Sequence, residues 1–194
     1  MNFLAHLHIA DTLDSDLAAN LLGDFVKGDP YKSYPAYIAD GIKLHRFVDS
    51  YTDSHQVMKT AKGFFPAEVR RFSPIALDLY WDHCLASGWA EFHQQSLADF
   101  CLQAEERVRS VNNIHLPEQY LRVTERMWKM KWLESYADFA TLEIALERMS
   151  TRSPRMKKLA HCFETLEQSD DELSQLFPLL YTDVLKACRE FVNR

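Results

Sequence analysis

The chain has 194 residues, of which 47% are hydrophobic and 26% charged, and its formal net charge is -6. This balance is typical of a globular protein and excludes disordered and collagen-like chains. The acidic net charge argues against a general nucleic-acid binder, and no segment offers about 20 uncharged apolar residues for a membrane span.

Apolar residues recur at helical spacing through the chain, and alternating strand patterns are rare. We therefore predict an all-α fold in a single domain, 1–194, with a metal-site half at about 1–90 and C-terminal helices at about 91–194. In chain order, helices are predicted at about 2–10, 15–27, 35–51, 54–62, 66–72, 74–87, 89–110, 117–127, 130–149, 153–167 and 170–192.

The N-terminal segment carries His6 and His8 and lacks the basic region that opens a signal peptide. Two histidines at i and i+2 cannot both point the same way from a helix, so at most one is expected to bind a ligand there. Taken alone, each of the two is interpreted as a capping or core histidine, and the predicted ligand set includes His8 but not His6. Four cysteines without C-x-x-C spacing indicate reduced thiols in a cytoplasmic protein.

On three predicted helices, ionisable residues lie on the same face as apolar residues. Positions seven or eleven apart lie within about 20° of one another on a helix, and this places Asp24, His45 with Asp49, and Asp82 on core-facing stripes. A buried charge without a partner costs several kcal/mol. These side chains are therefore expected to meet around a metal ion, with His45 and Asp49 as an i, i+4 pair and His83 beside Asp82.

Other roles for these residues stay open. Asp24 and Asp82 can instead cap a helix or pair with arginine. His83 can hydrogen-bond Asp82 and orient it without binding the metal itself. Asp53 or Ser54 is expected to cap the helix predicted at 54–62. Histidine and aspartate from several helices of an all-α domain are the arrangement by which HD-type phosphohydrolases hold a divalent metal.

Several motifs resemble one enzyme family, the acyl carrier protein phosphodiesterases. The similarity is strong over the first 90 residues and lies in the opening MNFLAHLH, NLLGDFVKG at 20–28, GIKLHR at 41–46, Asp49, Thr52-Asp53, and Leu77-Asp78 followed by Trp81-Asp82-His83. One departure concerns the HD signature itself, because Asp82 and His83 stand in reverse order and His45 is separated from Asp49.

The resemblance implies a divergent HD-like phosphohydrolase that removes 4′-phosphopantetheine from holo acyl carrier protein. It also implies Mn²⁺ as the metal, with Mg²⁺ or Fe²⁺ as alternatives. The predicted metal ligands come from His8, Asp24, His45, Asp49, Asp82 and His83. The predicted catalytic residues are Asp24, His45, Asp82 and His83. An aspartate or histidine not used as a ligand would act as general base, and a second would protonate the leaving serine oxygen.

An acidic carrier protein requires a basic surface on this acidic chain. Five cations without an intervening acid lie between 148 and 158 and form either this surface or a solvated loop and helix start, namely Arg148, Arg152, Arg155, Lys157 and Lys158. A second set lies closer in sequence to the predicted metal and could bind the phosphate or the carrier, namely Lys27, Lys43, Arg46, Arg70 and Arg71. The aromatic residues of 128–139 recur at helical spacing and are interpreted as core rather than as a pantetheine groove.

Three other functions are considered. The first is an HD-like phosphohydrolase acting on a nucleotide or another small phosphoester. The second is a non-catalytic helical module in which the polar cluster is a hydrogen-bond network. The third is a di-iron bundle, which needs Glu-x-x-His pairs, and the sequence contains none.

Overall fold

The computed structural model describes residues 1–193, which form twelve α-helices and no strand. The helices are α1 (Phe3–Thr12), α2 (Leu17–Leu22), α3 (Ala36–Ser54), α4 (Gln56–Gly63), α5 (Ser73–Ser87), α6 (Trp89–Phe92), α7 (Leu97–Ser110), α8 (Glu118–Lys129), α9 (Trp132–Ser135), α10 (Ala140–Ser150), α11 (Cys162–Gln168) and α12 (Asp170–Val192). Three 3₁₀ segments lie at Pro30–Lys32, Arg70–Phe72 and Pro154–Leu159. The predicted all-α fold is confirmed.

Helix α1 lies at the centre of the molecule. Every residue from 4 to 10 is buried, and the helix packs against α2, α3 and α5. Helix α3 in turn lies between α2 and α12. Because α1 is covered on all sides, His6 and His8 are both buried, and each meets a different neighbour of this helix.

Helix α2 is shorter than the predicted helix at 15–27. It begins at an Asp16 cap, whose carboxylate accepts the Ala19 N–H at 2.8 Å, and it ends at Leu22. The guanidinium of Arg46 on α3 then donates hydrogen bonds of 2.6 Å to the carbonyl oxygens of Val26 and Gly28. These bonds fix the loop after α2 against α3.

Several predicted helices are divided in the structure. The one predicted at 66–72 is helical only as the 3₁₀ segment Arg70–Phe72. The helix at 130–149 is interrupted between α9 and α10, and α9 is preceded by Lys131 in a left-handed conformation (φ 49°). The helix predicted at 54–62 starts at Gln56 with His55 as its cap, so the capping role predicted for Asp53 or Ser54 was wrong.

The apolar core runs from Met1 to Cys188 and includes residues of both halves of the chain. The four cysteines are unpaired. Within residues 1–193, none of the helices combines the length and the apolar character that a membrane crossing requires.

Candidate metal centre

One carboxylate joins two stacked histidines at the contact between α1 and α3. The rings of His6 and His45 lie 3.8 Å apart between centroids, with their planes at 19°. The Nε2 atoms of His6 and His45 each lie 3.1 Å from an oxygen of Asp49, Oδ1 and Oδ2 respectively. One ligand atom from each of the three residues lies within 4.8 Å of the others, so the three could bind one metal ion.

Asp24 completes this cluster from the loop after α2. Its Oδ1 lies 3.4 Å from Nε2 of His45. The two imidazoles are 2% exposed, whereas the side chains of Asp24 and Asp49 are 49% and 40% exposed. The histidines therefore form a buried floor, and the carboxylates face open space above it. The expectation that Asp24 lies on a buried helical stripe was wrong, because α2 ends at Leu22.

The glycine before Asp24 makes room for the His45 ring. A Cβ built on Gly23 would fall 2.2 Å from Cγ and Cδ2 of His45. Carbon atoms that are not bonded to one another do not approach so closely. The backbone of Gly23 is in the ordinary right-handed helical region (φ -50°, ψ -38°). A glycine is therefore required here for the packing of His45 and not for the backbone conformation.

The two histidines differ in charge because their partners differ. Burial and the charge of His45 lower the pKa of His6 to about 4. Burial also opposes ionisation of His45, but hydrogen bonds to Asp24 and Asp49 outweigh it and raise its pKa to about 9. The same bonds overcome burial and lower the pKa values of Asp24 and Asp49. At neutral pH the cluster thus holds two carboxylates, one neutral histidine and one protonated histidine.

Asp82 is placed where it caps α1. Its carboxylate is fully buried and accepts the backbone N–H groups of Asn2, Leu4 and Ala5 at 3.2, 2.8 and 3.2 Å. These are donors at a helix N-terminus, which otherwise have no partner within the helix. Asp82 thus forms no hydrogen bond or ion pair with His45 or Asp49 among residues 1–193, and its hydrogen bonds are those of a residue that positions α1.

His8 lies on the other side of α1 from His6. Its Nδ1 is 2.6 Å from the hydroxyl of Tyr181 on α12, and its Nε2 is 3.2 Å from the carbonyl oxygen of Phe92. Both ring nitrogens are therefore used within the core. The structure does not bring His8 to the cluster.

His83 is turned towards α9 and α10. Its Nδ1 lies 2.7 Å from the carbonyl oxygen of Tyr136, and its ring meets the edge of Phe139. It contacts this carbonyl rather than Asp82, so neither the ligand role nor the supporting role predicted for it matches its position. Of the six predicted ligands, the structure gathers Asp24, His45 and Asp49.

Comparison with known proteins identifies the family. The family model for acyl carrier protein phosphodiesterase matches residues 1–184. The chain is 39% identical over 187 residues to the acyl carrier protein phosphodiesterase of Yersinia pestis, covering 96% of each chain. It is 37% identical over 189 residues to that of Pectobacterium atrosepticum, covering 97% of this chain and 98% of the relative. The chain belongs to the acyl carrier protein phosphodiesterase family. No solved structure matches it.

For a member of the acyl carrier protein phosphodiesterase family, the space above the cluster is the candidate substrate site. The carboxylates face a cavity of about 680 Å³ that lies between the two halves of the chain. Its acidic wall consists of Asp24, Asp49, Asp53 and Asp78. Its apolar wall, from the C-terminal helices, consists of Val123, Met130, Trp132, Ile144 and Met149. Arg148 and Arg152 also line it.

Sequence reasoning missed three residues of this site. His6 belongs to the cluster in place of His8, and the i, i+2 rule correctly allowed only one of them. Asp53 and Asp78 reach the cavity, and Oδ1 of Asp78 accepts a 2.7 Å hydrogen bond from the Met1 nitrogen. The repeated Asp at 49 and 53, four positions apart on α3, is the signal that would have found Asp53.

Proposed function

We propose that this protein is a metal-dependent phosphodiesterase that hydrolyses the bond between 4′-phosphopantetheine and a serine of holo acyl carrier protein. The products are the apo carrier of fatty acid biosynthesis and free 4′-phosphopantetheine. The observation that carries the proposal is the His6, His45 and Asp49 cluster, which opens on a cavity in a chain of the acyl carrier protein phosphodiesterase family.

The donor set fits a divalent metal. Two imidazoles, the Asp49 carboxylate that joins them and Asp24 beside them are ligand types that suit manganese or iron, and carboxylates also accept magnesium. Asp24 and Asp49, whose lowered pKa values keep them ionised, place two negative charges beside the imidazoles, and a divalent cation would balance that charge. We therefore assign His6, His45, Asp49 and Asp24 as the ligands, and Mn²⁺ as the metal. When bound, the metal supplies the Lewis acidity that polarises a phosphodiester and acidifies water.

The other two carboxylates of the acidic wall are proposed to move protons. Asp53 is exposed in the cavity and forms no ion pair among residues 1–193, so it is suited to accept a proton from water. Burial raises the pKa of Asp78, although the Met1 nitrogen opposes this. A carboxyl group with a raised pKa is suited to donate a proton to the leaving serine oxygen.

A basic surface next to the cavity is proposed to bind the carrier. We define it as the exposed cations Arg70, Arg71, Arg148, Arg152, Arg155, Lys157 and Lys158. Among the described residues none of them pairs with a carboxylate, and the 3₁₀ segments that carry five of them pack together. Since Arg148 and Arg152 also line the cavity, a carrier bound there would have its modified serine near the acidic wall.

Mass spectrometry of holo acyl carrier protein tests the reaction. The carrier is incubated with the protein in the presence of manganese, and in parallel with a chelator or with His45→Ala. We expect the carrier to lose one phosphopantetheine only with manganese and only with the unsubstituted protein, while circular dichroism confirms that His45→Ala is folded. An unchanged carrier with folded, manganese-loaded protein would refute the proposal and favour a small phosphoester as substrate.

A further inference from the structure

The apolar wall of the cavity leaves hydrophobic surface without a partner. Met130 is 44% exposed and Ile144 is 49% exposed, although both line a concave space. Trp132 and Met149 extend this surface on α9 and α10, so the interpretation of Trp132 as a core residue was wrong: its side chain is only partly buried and lines the cavity. Exposed apolar side chains that gather in a cavity, rather than scattering over the surface, are characteristic of a ligand site.

The same wall carries uncharged polar groups as well as the two arginines, Arg148 and Arg152, at its edge with the basic surface. Gln119, Ser135 and Thr141 line the cavity from α8, α9 and α10, and no carboxylate on these helices reaches it. Amide and hydroxyl side chains can bind the amides of a ligand without a charge on either partner. The apolar residues and these uncharged polar groups together favour a neutral chain that carries apolar segments and amide groups, whereas Arg148 and Arg152 suit an anionic group such as the phosphate or the carrier.

We infer that the apolar wall binds the pantetheine arm of the substrate, while the carrier protein itself stays outside on the basic surface. This inference rests on the proposed function, which places the phosphodiester at the acidic wall. Beyond its phosphate, the arm is uncharged: it has a dimethyl-substituted carbon, a hydroxyl group, two amides and a thiol. Both walls belong to one cavity of about 680 Å³, so an arm attached to a phosphate at one wall reaches the other. This volume lies within the range of sites for ligands of that size, roughly 300–1,000 Å³.

An aspartate at Ile144 is the substitution that tests the inference. Half of the Ile144 side chain is already exposed, so the variant is expected to fold, and it places a charge where the neutral arm would lie. The matched control is Leu179→Asp on α12, where the side chain is 60% exposed and does not line the cavity. Met130→Asp repeats the test from a second position on the wall.

Calorimetry with pantetheine, which lacks the phosphate, measures the arm alone. We expect Ile144→Asp and Met130→Asp to bind pantetheine at least about tenfold more weakly than the unsubstituted protein and Leu179→Asp. With holo carrier as substrate, both variants should raise KM by a similar factor. The inhibition constant of apo carrier, which has no arm, should not change.

Two results would overturn the inference. One is equal pantetheine binding by all four proteins, or no binding by any. The other is a loss of apo carrier inhibition in Ile144→Asp as large as the rise in KM, which would assign the apolar wall to the carrier. If pantetheine binding follows the expected pattern but the unsubstituted protein does not cleave holo carrier, the proposed function fails and the inference about the ligand stands.

Discussion

Gly23 shows how a single absent side chain determines the position of His45, the proposed metal ligand. Its Cα lies so close to His45 that a Cβ would overlap the ring at 2.2 Å, and His45 is buried at 2% exposure. We expect Gly23→Ala to displace the imidazole and weaken manganese binding by about tenfold or more. Manganese titration followed by electron paramagnetic resonance measures this.

The control for that prediction is Gly63→Ala at the end of α4. A Cβ at Gly63 meets nothing within 4 Å, so the substitution should leave manganese affinity unchanged and raise stability by a few tenths of a kcal/mol, since alanine favours a helix. Equal manganese affinities for the two alanine variants would mean that Gly23 does not position His45.

The charge difference between the two histidines predicts a pH dependence. With a pKa of about 9, His45 carries a proton at pH 7.5, whereas His6, with a pKa of about 4, does not. A metal ligand must lose its proton, so manganese binding should release about one proton per chain at pH 7.5. Affinity should rise with pH up to about 9. Calorimetry in buffers of different ionisation enthalpy measures the number of protons released on manganese binding. A binding enthalpy that is the same in every buffer would show that His45 does not release a proton.

The choice between His6 and His8 illustrates what single-residue patterns leave open. Their spacing shows that they point to different sides of α1. Which side faces α3 depends on how α1 is packed, and α1 is buried on all its faces, so its apolar pattern contains no preferred direction. His45 and Asp49 were predictable because both lie on one face of a long helix.

At the scale of elements, α1 is held by a carboxylate from another helix. Asp82 of α5 accepts three N–H groups at the start of α1, and this fixes the helix that carries His6. The sequence predicted the burial of Asp82 correctly, but a cap from a residue about 80 positions away is a tertiary contact that no local pattern encodes. A buried aspartate is therefore ambiguous between a metal ligand and a cap.

Burial of Asp82 predicts how the stability of α1 depends on pH. Burial raises its pKa from 3.8 to about 7, although the three N–H groups oppose this. The folded state therefore holds the proton more tightly than the unfolded state. The stabilisation that protonated Asp82 contributes to the folded state is complete below about pH 4. It is lost as the pH rises through 7. Asp82→Asn does not titrate, so the difference in free energy of unfolding between unsubstituted protein and variant should fall by about 4 kcal/mol between pH 4 and pH 8.

Urea denaturation of the metal-free unsubstituted protein and of metal-free Asp82→Asn, between pH 4 and pH 8, measures this difference in free energy of unfolding. Parallel pH profiles would show that Asp82 does not titrate in the folded protein. The asparagine amide cannot accept hydrogen bonds at its nitrogen, so the variant would lose part of the cap of α1. Because α1 carries His6, the variant should also bind manganese more weakly. Normal manganese affinity in Asp82→Asn would separate Asp82 from the site.

Long helices were easier to predict than short ones for a physical reason. Helix α12 extends over Asp170–Val192 as predicted, since its apolar face repeats over six turns. The breaks around α9 depend on Lys131 in a left-handed conformation, which side chains rarely adopt and which lysine does not signal. Tertiary packing decided these breaks.

At the scale of the whole molecule, the charge is divided between the two halves. The four aspartates of the acidic wall come from residues 24–78, while five of the seven cations of the basic surface come from residues 148–158. A chain with a net charge of -6 that nevertheless presents a cluster of unpaired cations is suited to an acidic partner. Opposite charges act on association more than on the chemical step.

Charge reversal tests this surface. We expect Lys157→Glu combined with Lys158→Glu to raise KM for holo carrier by about tenfold at low salt, and less at high salt, where screening weakens the interaction. The control is Lys59→Glu combined with Lys186→Glu, an equal change of charge at exposed lysines of α4 and α12. An equal effect of both pairs would mean that only net charge matters; no effect of either would remove the carrier from this surface.

We propose above that a metal binds between α1 and α3, at His6, His45, Asp49 and Asp24. Manganese titration of the unsubstituted protein, His6→Ala and His8→Ala, followed by electron paramagnetic resonance, tests it most directly because the two histidines lie two positions apart on one helix and in different surroundings. We predict about 100-fold weaker manganese binding for His6→Ala and unchanged binding for folded His8→Ala. Normal binding by His6→Ala, or loss of binding only in His8→Ala, would show that His6 does not hold the metal.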